Sequence, residues 1–246
     1  RQMGAGNSKI DFEVVRRGYF PKGMGEVHVK VEPWNCGPVP PLTLTDRGTV
    51  CDIYIRSYHA GKVPRFVAEK MIVAARKVLE ECNEVSNIKF RVDCVTEPNA
   101  VGNGSGILIV AKTTSGCLLG GSALGGPKVK AQNVGADAAR ELVRALEDGG
   151  CVDEWLQDQL ILYMALAKGA SELLTGSLTL HTQTAITIAE QVCGAKFEVR
   201  QVQSEKSVLT ATTNDDPGYG EAGRRAGKYL IRCQGIGFEP TRTTME

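Results

Sequence analysis

The chain has 246 residues, a formal net charge of +1 and 23% charged residues. This length and composition predict a globular protein of one large domain or two modest ones. The near-zero net charge excludes a global basic field that would recruit nucleic acid, so a polynucleotide could bind only through a local patch. No run reaches the roughly 18 consecutive apolar residues of a membrane helix, so we expect no membrane partner.

The eight cysteines are spread along the chain without a CxxC pair. A disulfide framework or a zinc site would need clustered spacing. The sequence therefore predicts reduced cysteines in the core and an intracellular, reducing compartment.

A first segment, residues 1–45, begins with two strands of alternating apolar and polar residues, at 9–15 and 26–31. The turn between them is rich in Gly and Pro and carries Arg17 and Lys22. These basic side chains could hold phosphates, or they could be solvated residues of a tight turn.

The second segment, residues 46–149, has the pattern of a small α/β module of the order β-α-β-β-β-α. A glycine-rich run, 102–106, precedes a strand and not a helix. It therefore lacks the context of a phosphate-binding loop, and a hairpin or a flexible loop is the favoured interpretation. The predicted elements are strands at 50–58, 88–95, 106–111 and 116–119, and helices at 63–82 and 134–146.

The third segment, residues 150–246, alternates helices and strands. Asp153 is a plausible N-cap, and Gly194 is a plausible left-handed helix end. A polar, Gly-rich stretch at 204–227 predicts a mobile loop. The predicted elements are a helix to 167, a strand at 173–180, a helix at 182–192, and strands at 195–203 and 228–233.

The most informative residue is His181, which directly precedes a predicted helix together with Thr182 and Thr184. A helix N-terminus favours anions, including phosphate, and an imidazole nitrogen placed there can act as a nucleophile. The alternative interpretation is a structural histidine. The two other histidines are predicted to be a surface residue, His28, and a strand-end residue with a structural or solvated role, His59.

One helix face of the third segment carries Trp155, Asp158 and Gln159, which are spaced i, i+3 and i+4. The ring could stack on a base while the carboxylate and carboxamide bind metal, phosphate or imidazole. The alternative interpretation is an amphipathic helix with its polar face in water and Trp155 in the core.

Five runs in this order resemble the RNA 3′-terminal phosphate cyclases, and the eukaryotic branch is the most similar. The resemblance covers nearly the whole chain. The runs are RGYFPKG (17–23), GNGSGI (102–107), DEWLQDQL (153–160), LHTQTAI (180–186) and CQGIG (233–237).

The resemblance implies an α/β (α+β) fold, namely the C-terminal part of a core of repeated α/β units with a small inserted α/β domain. Segment 1–45 would belong to the core, 46–149 would be the insert, and 150–246 would be the core unit with the nucleophile. The implied activity is the ATP-dependent conversion of an RNA 3′-phosphate into a 2′,3′-cyclic phosphate.

The same resemblance implies the roles of the site residues. His181 would attack the α-phosphate of ATP, Trp155 would stack on adenine, and Asp158 and Gln159 would bind the nucleotide, with Asp158 also orienting His181. The implied cofactors are ATP and Mg²⁺, without a dedicated protein metal site. The implied partner is an RNA 3′-phosphate end, and the implied location is the nucleoplasm.

Two departures from the family pattern qualify these expectations. Met24 stands where the family usually has glycine, and the family's N-terminal portion has no counterpart here. The chain is therefore expected to be a C-terminal piece that could associate with such a portion. Two alternatives remain open: a non-catalytic, cyclase-like protein of ribosome assembly, and an inactive cyclase fragment.

Overall fold

A computed structural model describes residues 10–32, 37–85, 87–202 and 227–239. Within these ranges the chain is a mixed α/β protein, as predicted. The loop predicted at 204–227 lies outside the described residues except for its last position. The elements are β1 (Ile10–Arg16), β2 (Glu26–Val31), β3 (Thr43–Leu44), β4 (Val50–Ala60), α1 (Arg65–Glu80), β5 (Phe90–Glu97), β6 (Gly104–Thr113), β7 (Leu118–Leu124), α2 (Ala131–Glu147), α3 (Glu154–Leu166), β8 (Ala170–Thr175), α4 (Leu180–Cys193), β9 (Lys196–Val202) and β10 (Lys228–Gln234).

The chain divides into two compact units, which we name after their helices. The β1–β2 hairpin belongs by its contacts to the α1–α2 unit. The domain boundaries predicted above come from the family resemblance and remain a prediction, with segments at 1–45, 46–149 and 150–246. The α1–α2 unit holds the described residues of 10–32 and 47–147, and the α3–α4 unit holds those of 37–46, 148–202 and 227–239.

The α1–α2 unit contains a four-stranded sheet with two helices, in the β-α-β-β-β-α order that the sequence predicted. The strand order is β5-β4-β6-β7, with β4 and β5 parallel and the other pairs antiparallel. Alternate residues of β4 face the core, so Ile53 and Ile55 are fully buried. The core of this unit is thus built from local alternation that is readable in the sequence.

The ends of the segment 47–147 are tied together by Arg47. Its guanidinium donates a hydrogen bond to the carbonyl oxygen of Leu146 at 2.5 Å and pairs with the Glu84 carboxylate at 2.7 Å. The segment therefore begins and ends at neighbouring positions.

Helices α1 and α2 meet at a glycine. A Cβ atom added to Gly135 of α2 would lie 2.0 Å from the backbone oxygen of Met71 in α1. Met71 is itself almost completely buried. The two helix backbones can therefore approach this closely only because residue 135 has no side chain.

The β1–β2 hairpin separates apolar and charged residues onto its two faces. Three apolar residues of β1 lie opposite apolar residues of β2, and all six are between 41% and 66% exposed. An isolated two-stranded hairpin is marginally stable in water. The opposed apolar pairs are Ile10 with Val31, Phe12 with Val29 and Val14 with Val27.

The turn that follows β1 contains the methionine that departs from the family pattern. Met24 has a φ of 60°, in the left-handed region that disfavours residues with a Cβ atom. Gly18 lies against the same turn, where an added Cβ would be 2.1 Å from the Gly23 oxygen. A glycine at position 24 would therefore suit this backbone better than methionine does.

The α3–α4 unit is a sheet of order β3-β8-β10-β9 covered on one face by its two helices. Strands β3 and β8 are parallel, and the other pairs are antiparallel. Parallel strands require a crossover connection, and here that crossover contains both α3 and the segment 47–147 of the other unit. Its core includes Leu173 and Ile231 from the sheet, Ile161 and Met164 from α3, and Ala189 from α4.

One predicted strand is too long. Strand β8 ends at Thr175, whereas the sequence pattern predicted a strand through Leu180. Residues 176–179 leave the sheet because the side chain of Thr179 caps α4 by accepting a hydrogen bond from the Thr182 amide. The predicted end of this helix is confirmed, since Gly194 has a left-handed φ of 71°.

None of the seven cysteines that the structure describes forms a disulfide, and Cys36 lies outside the described residues. Cys117, Cys151 and Cys233 are buried, as predicted, while Cys51 is exposed. Burial, followed by the nearby Glu190 carboxylate, raises the pKa of the Cys233 thiol to about 11. In the described part of the chain, no helix combines the length and hydrophobicity needed to cross a membrane.

The contact between α1 and α2 gives a stability prediction. We expect Gly135→Ala to lower the free energy of unfolding by about 1–3 kcal/mol because of overpacking, despite the higher helix propensity of alanine. Urea denaturation measures the effect. Gly126→Ala is the control, since its added Cβ would have no neighbour nearer than Val129 at 3.5 Å. Equal stabilities of the two variants would contradict the close approach.

Candidate functional site

The start of α3 carries the three predicted nucleotide-binding residues, two of which are exposed. Asp153 is the N-cap, as predicted, and its Oδ1 accepts a hydrogen bond from the Leu156 amide at 2.9 Å. Trp155 is 59% exposed, so the alternative that placed it in the core is wrong. Gln159 is also exposed and its Nε2 donates to the Trp155 carbonyl at 2.7 Å, while Asp158 is half-buried.

His181 is the second residue of α4, and its side chain is exposed. The predicted helix start at 182 was therefore two residues too late. The first turn of a helix has backbone N–H groups without an intrahelical acceptor, and its dipole favours negative charge. His181 thus lies where an anionic group would be stabilised.

The loops that lead into α3 and α4 pack directly on each other. The Cys151 amide donates to the Leu174 carbonyl at 2.8 Å, and Asp148 accepts a hydrogen bond from the Ser177 amide at 3.2 Å. A Cβ added to Gly150 would lie 2.4 Å from the Gly176 nitrogen. These contacts hold the two helix starts close together.

A residue that the sequence did not single out connects the two helix starts. Gln157 of α3 is only 1% exposed. Its Oε1 accepts hydrogen bonds from the Thr179 amide at 3.3 Å and from the Thr182 hydroxyl at 2.5 Å. The sequence pattern that could have identified Gln157 is its position one turn before Ile161, where a polar side chain interrupts the apolar stripe of the helix.

The structure therefore places the four predicted site residues on two neighbouring helix starts of the α3–α4 unit. Trp155, Asp158 and Gln159 lie in the first two turns of α3, and His181 lies in the first turn of α4. Two helix dipoles have their positive ends in the same region. This arrangement can bind a phosphate group and present an imidazole to it.

The other candidates have structural partners. Arg17 pairs with Glu97 at 3.1 Å, and its guanidinium lies 4.9 Å from the centre of the Tyr58 ring. Within the glycine-rich run, a Cβ on Gly104 would lie 2.2 Å from the Tyr19 ring. Burial, then the neighbouring Tyr58, raises the pKa of Tyr19 to about 12. The contacts of Arg17 therefore fit the structural alternative. The glycine-rich run forms no hairpin, because it leads into β6 while the preceding strand β5 pairs with β4 and not with β6.

The remaining histidines match their predicted roles. His59 is 8% exposed, with Nδ1 2.8 Å from the Val63 oxygen and Nε2 3.0 Å from the Thr96 hydroxyl. His28 is exposed and lies 3.3 Å from the Glu26 carboxylate. Within the described ranges, no group of three or more His, Cys, Asp or Glu side chains could hold a metal ion.

The fold and the site define an α/β protein whose paired helix starts suit an anionic ligand. The chain belongs to the RNA 3′-terminal phosphate cyclase family, whose model matches residues 1–199.

Several relatives support this membership. A protein of Dictyostelium discoideum named probable RNA 3′-terminal phosphate cyclase is 36% identical over 234 residues, which cover 95% of this chain and 50% of that protein. An RNA 3′-terminal phosphate cyclase of Drosophila melanogaster is 34% identical over 237 residues, which cover 93% of this chain and 56% of that protein. The RNA 3′-terminal phosphate cyclase of Pyrobaculum neutrophilum is 32% identical over 232 residues, which cover 94% of this chain and 58% of that protein. The chain thus spans between 50% and 58% of the length of these relatives.

The cap of α4 gives a second stability prediction. Thr179→Ala removes the side-chain acceptor for the Thr182 amide, and we expect a loss of about 1 kcal/mol in the free energy of unfolding. Thr187→Ala is the control, since Thr187 is an exposed mid-helix residue that donates to the Gln183 carbonyl. Urea denaturation should show little loss for this control. A loss as large as that of Thr179→Ala would contradict the capping role.

Proposed function

We propose that the protein converts an RNA 3′-phosphate end into a 2′,3′-cyclic phosphate, with ATP as the energy source and His181 as the nucleophile. Membership of the cyclase family supports the reaction class. The observation that carries the assignment is the exposed His181 in the capped first turn of α4, beside the start of α3.

In the first step, an imidazole nitrogen of His181 attacks the α-phosphorus of ATP. A P–N bond forms, the bond between the α-phosphorus and its bridging oxygen to the β-phosphate breaks, and pyrophosphate leaves. The helix starts stabilise the negative charge on the phosphate oxygens during attack. Covalent catalysis divides one difficult condensation into easier steps.

In the second step, an oxygen of the RNA 3′-phosphate attacks the histidine-bound phosphorus. The P–N bond breaks, His181 is regenerated, and AMP is joined to the RNA end through a pyrophosphate linkage. The neighbouring 2′-hydroxyl then loses its proton and attacks the RNA phosphorus. AMP leaves with the bridging oxygen, and the cyclic phosphate remains.

The outward face of α3 would bind the nucleotide. We assign adenine stacking to Trp155, whose 59% exposure leaves ring surface accessible. Asp158 and Gln159 would contact the nucleotide, with Asp158 also orienting the imidazole of His181. The described residues contain no cluster of metal ligands, so we propose that Mg²⁺ is held mainly by the ATP phosphates, which it neutralises.

The main alternative is a non-catalytic, cyclase-like protein of ribosome assembly. The nucleophile candidate His181 argues against it, because the resemblance implies that such relatives lack this residue. An inactive fragment is the other alternative. Binding of RNA without any ATP-dependent change of its 3′-end would favour the scaffold over the enzyme.

We propose further that the protein associates with an N-terminal cyclase segment. The exposed apolar face of the β1–β2 hairpin supports this, because apolar surface of this kind marks interaction sites. Adding the N-terminal half of a relative should reduce the binding of a fluorescent apolar dye to the chain. Dye binding that stays unchanged would count against this partner.

The proposed location is the nucleoplasm, on the ground of the resemblance to the eukaryotic branch alone. Cell fractionation with an antibody against the chain tests it. Recovery of the protein only outside nuclei would overturn the proposal.

The nucleophile assignment predicts a covalent intermediate. Incubation with α-labelled ATP and Mg²⁺ should leave acid-labile AMP on the chain, because a P–N bond to imidazole hydrolyses in acid. His181→Ala should abolish the label. His28→Ala is the control, since His28 is exposed but lies in the other unit. Label that persists without His181 would refute the mechanism, and a folded chain without label would contradict catalysis by this chain alone.

The stacking assignment predicts a selective effect on ATP binding. Trp155→Ala should raise the KM for ATP about tenfold or more, the magnitude typical of lost base stacking, whereas Trp155→Phe should retain most of the affinity. Tyr163→Ala is the control, since Tyr163 is a similarly exposed aromatic residue of α3. Equal KM values for the Trp155→Ala and Tyr163→Ala variants would exclude stacking.

A further inference from the structure

The buried carboxamide of Gln157 uses its full hydrogen-bonding capacity. Its Nε2 donates to the Thr175 hydroxyl and, at 3.2 Å, to the Ser177 carbonyl. Its Oε1 accepts from the Thr179 amide and the Thr182 hydroxyl. A carboxamide offers two N–H donors and two oxygen lone pairs, so all four are used.

The orientation of this carboxamide is fixed by its backbone partners. The Thr179 amide can only donate and must therefore meet Oε1, while the Ser177 carbonyl can only accept and must meet Nε2. If the amide group were reversed, Nε2 would face the Thr179 N–H, which is also a donor, and Oε1 would face the Ser177 carbonyl, which is also an acceptor. Gln157 consequently holds the end of β8, the following turn and the start of α4 in one arrangement.

His181 lies in the sequence between two residues that Gln157 binds, the N-cap Thr179 and the α4 residue Thr182. Thr179 is held through its backbone N–H, and Thr182, which has no exposed surface, is held through its hydroxyl. Thr179 and Thr182 also bond each other, with the Thr182 amide donating to the Thr179 hydroxyl oxygen at 3.1 Å. The backbone of His181 is thereby fixed on both sides, although its own side chain is exposed.

We propose that Gln157 is a positioning residue that sets the direction of the His181 imidazole relative to the nucleotide face of α3. Gln157 is adjacent in sequence to Asp158 and shares its helix with Trp155, so one side chain couples the two halves of the site. The catalytic consequence rests on the function proposed above, whereas the structural clamp does not. Nucleophilic attack is sensitive to displacements near 1 Å, which can cost about a hundredfold in rate.

The competing explanation is that Gln157 contributes only to stability. Replacement by methionine, which has a similar length but no amide donor or acceptor, would remove a hydrogen-bond partner from each of four residues, Thr175, Ser177, Thr179 and Thr182. Such a loss lowers global stability whatever the role of the residue. The test therefore needs measurements that respond to the local position of α4 and not to global unfolding.

Hydrogen exchange of the purified full chain tests the clamp without requiring activity. In Gln157→Met we expect the Thr179, Thr182 and Gln183 amides to exchange at least about tenfold faster relative to the Ile231 amide of β10, because opening becomes local. Ser171→Ala is the matched control: Ser171 is fully buried in β8, and its hydroxyl accepts from the Leu42 amide at 3.1 Å. This control should leave unchanged the ratio between the exchange rates of these three amides and that of the Ile231 amide. Equal ratios in the two variants would overturn the clamp.

Kinetics of AMP transfer then test positioning. Gln157→Met and Thr182→Val should lower the rate constant about a hundredfold with little change in the KM for ATP. Thr182→Ser, which keeps the hydroxyl, should restore most of the rate, and the Thr182 pair provides the test should Gln157→Met fail to fold. If the rate constant for AMP transfer falls only in proportion to the unfolded fraction of the variant, the positioning role of Gln157 is overturned. If label persists in His181→Ala, the proposed function fails, while the exchange ratios still decide the clamp.

Discussion

The carboxamide of Gln157 joins α3 to the continuous stretch 175–182, which runs from the end of β8 to the start of α4. Its partners lie 18 residues away at Thr175 and 25 residues away at Thr182. Buried polar groups require hydrogen-bond partners, and this single side chain satisfies groups on β8, on the following turn and on α4. The placement of His181 in the first turn of α4, and so the chemistry proposed for it, depends on that requirement.

The β3–β8 crossover shows how a large segment can be accommodated without loss of the local fold. Residues 47–147 carry their own core, and Arg47 bonds the carbonyl of Leu146 at the other end of the segment. Because the segment begins and ends at neighbouring positions, the chain can leave β3 and return to α3 while β3 and β8 remain paired. Insertions between neighbouring positions are well tolerated for this reason.

Particular residues show which predictions succeeded. Asp153 and Gly194 were identified as helix ends because capping depends on side chains and backbone angles within a few residues. The end at Leu180 predicted for the strand that became β8 was wrong, since a run with β-like composition could not reveal that Thr179 would cap a helix. The exposure of Trp155 was left open because one helix has two candidate faces, and packing against a sheet chooses between them.

The amino-acid sequence was enough to predict the α/β class, the order of most helices and strands, the residues at α3 and α4 that could carry chemistry, and the family resemblance. Periodicity, caps and motif order are local properties, so they can be read from neighbouring residues. The side-by-side placement of the starts of α3 and α4, and their connection through the buried Gln157, could be seen only in the folded structure. The physical reason is that a buried hydrogen bond is specified by both partners, and these partners meet only after the chain has folded.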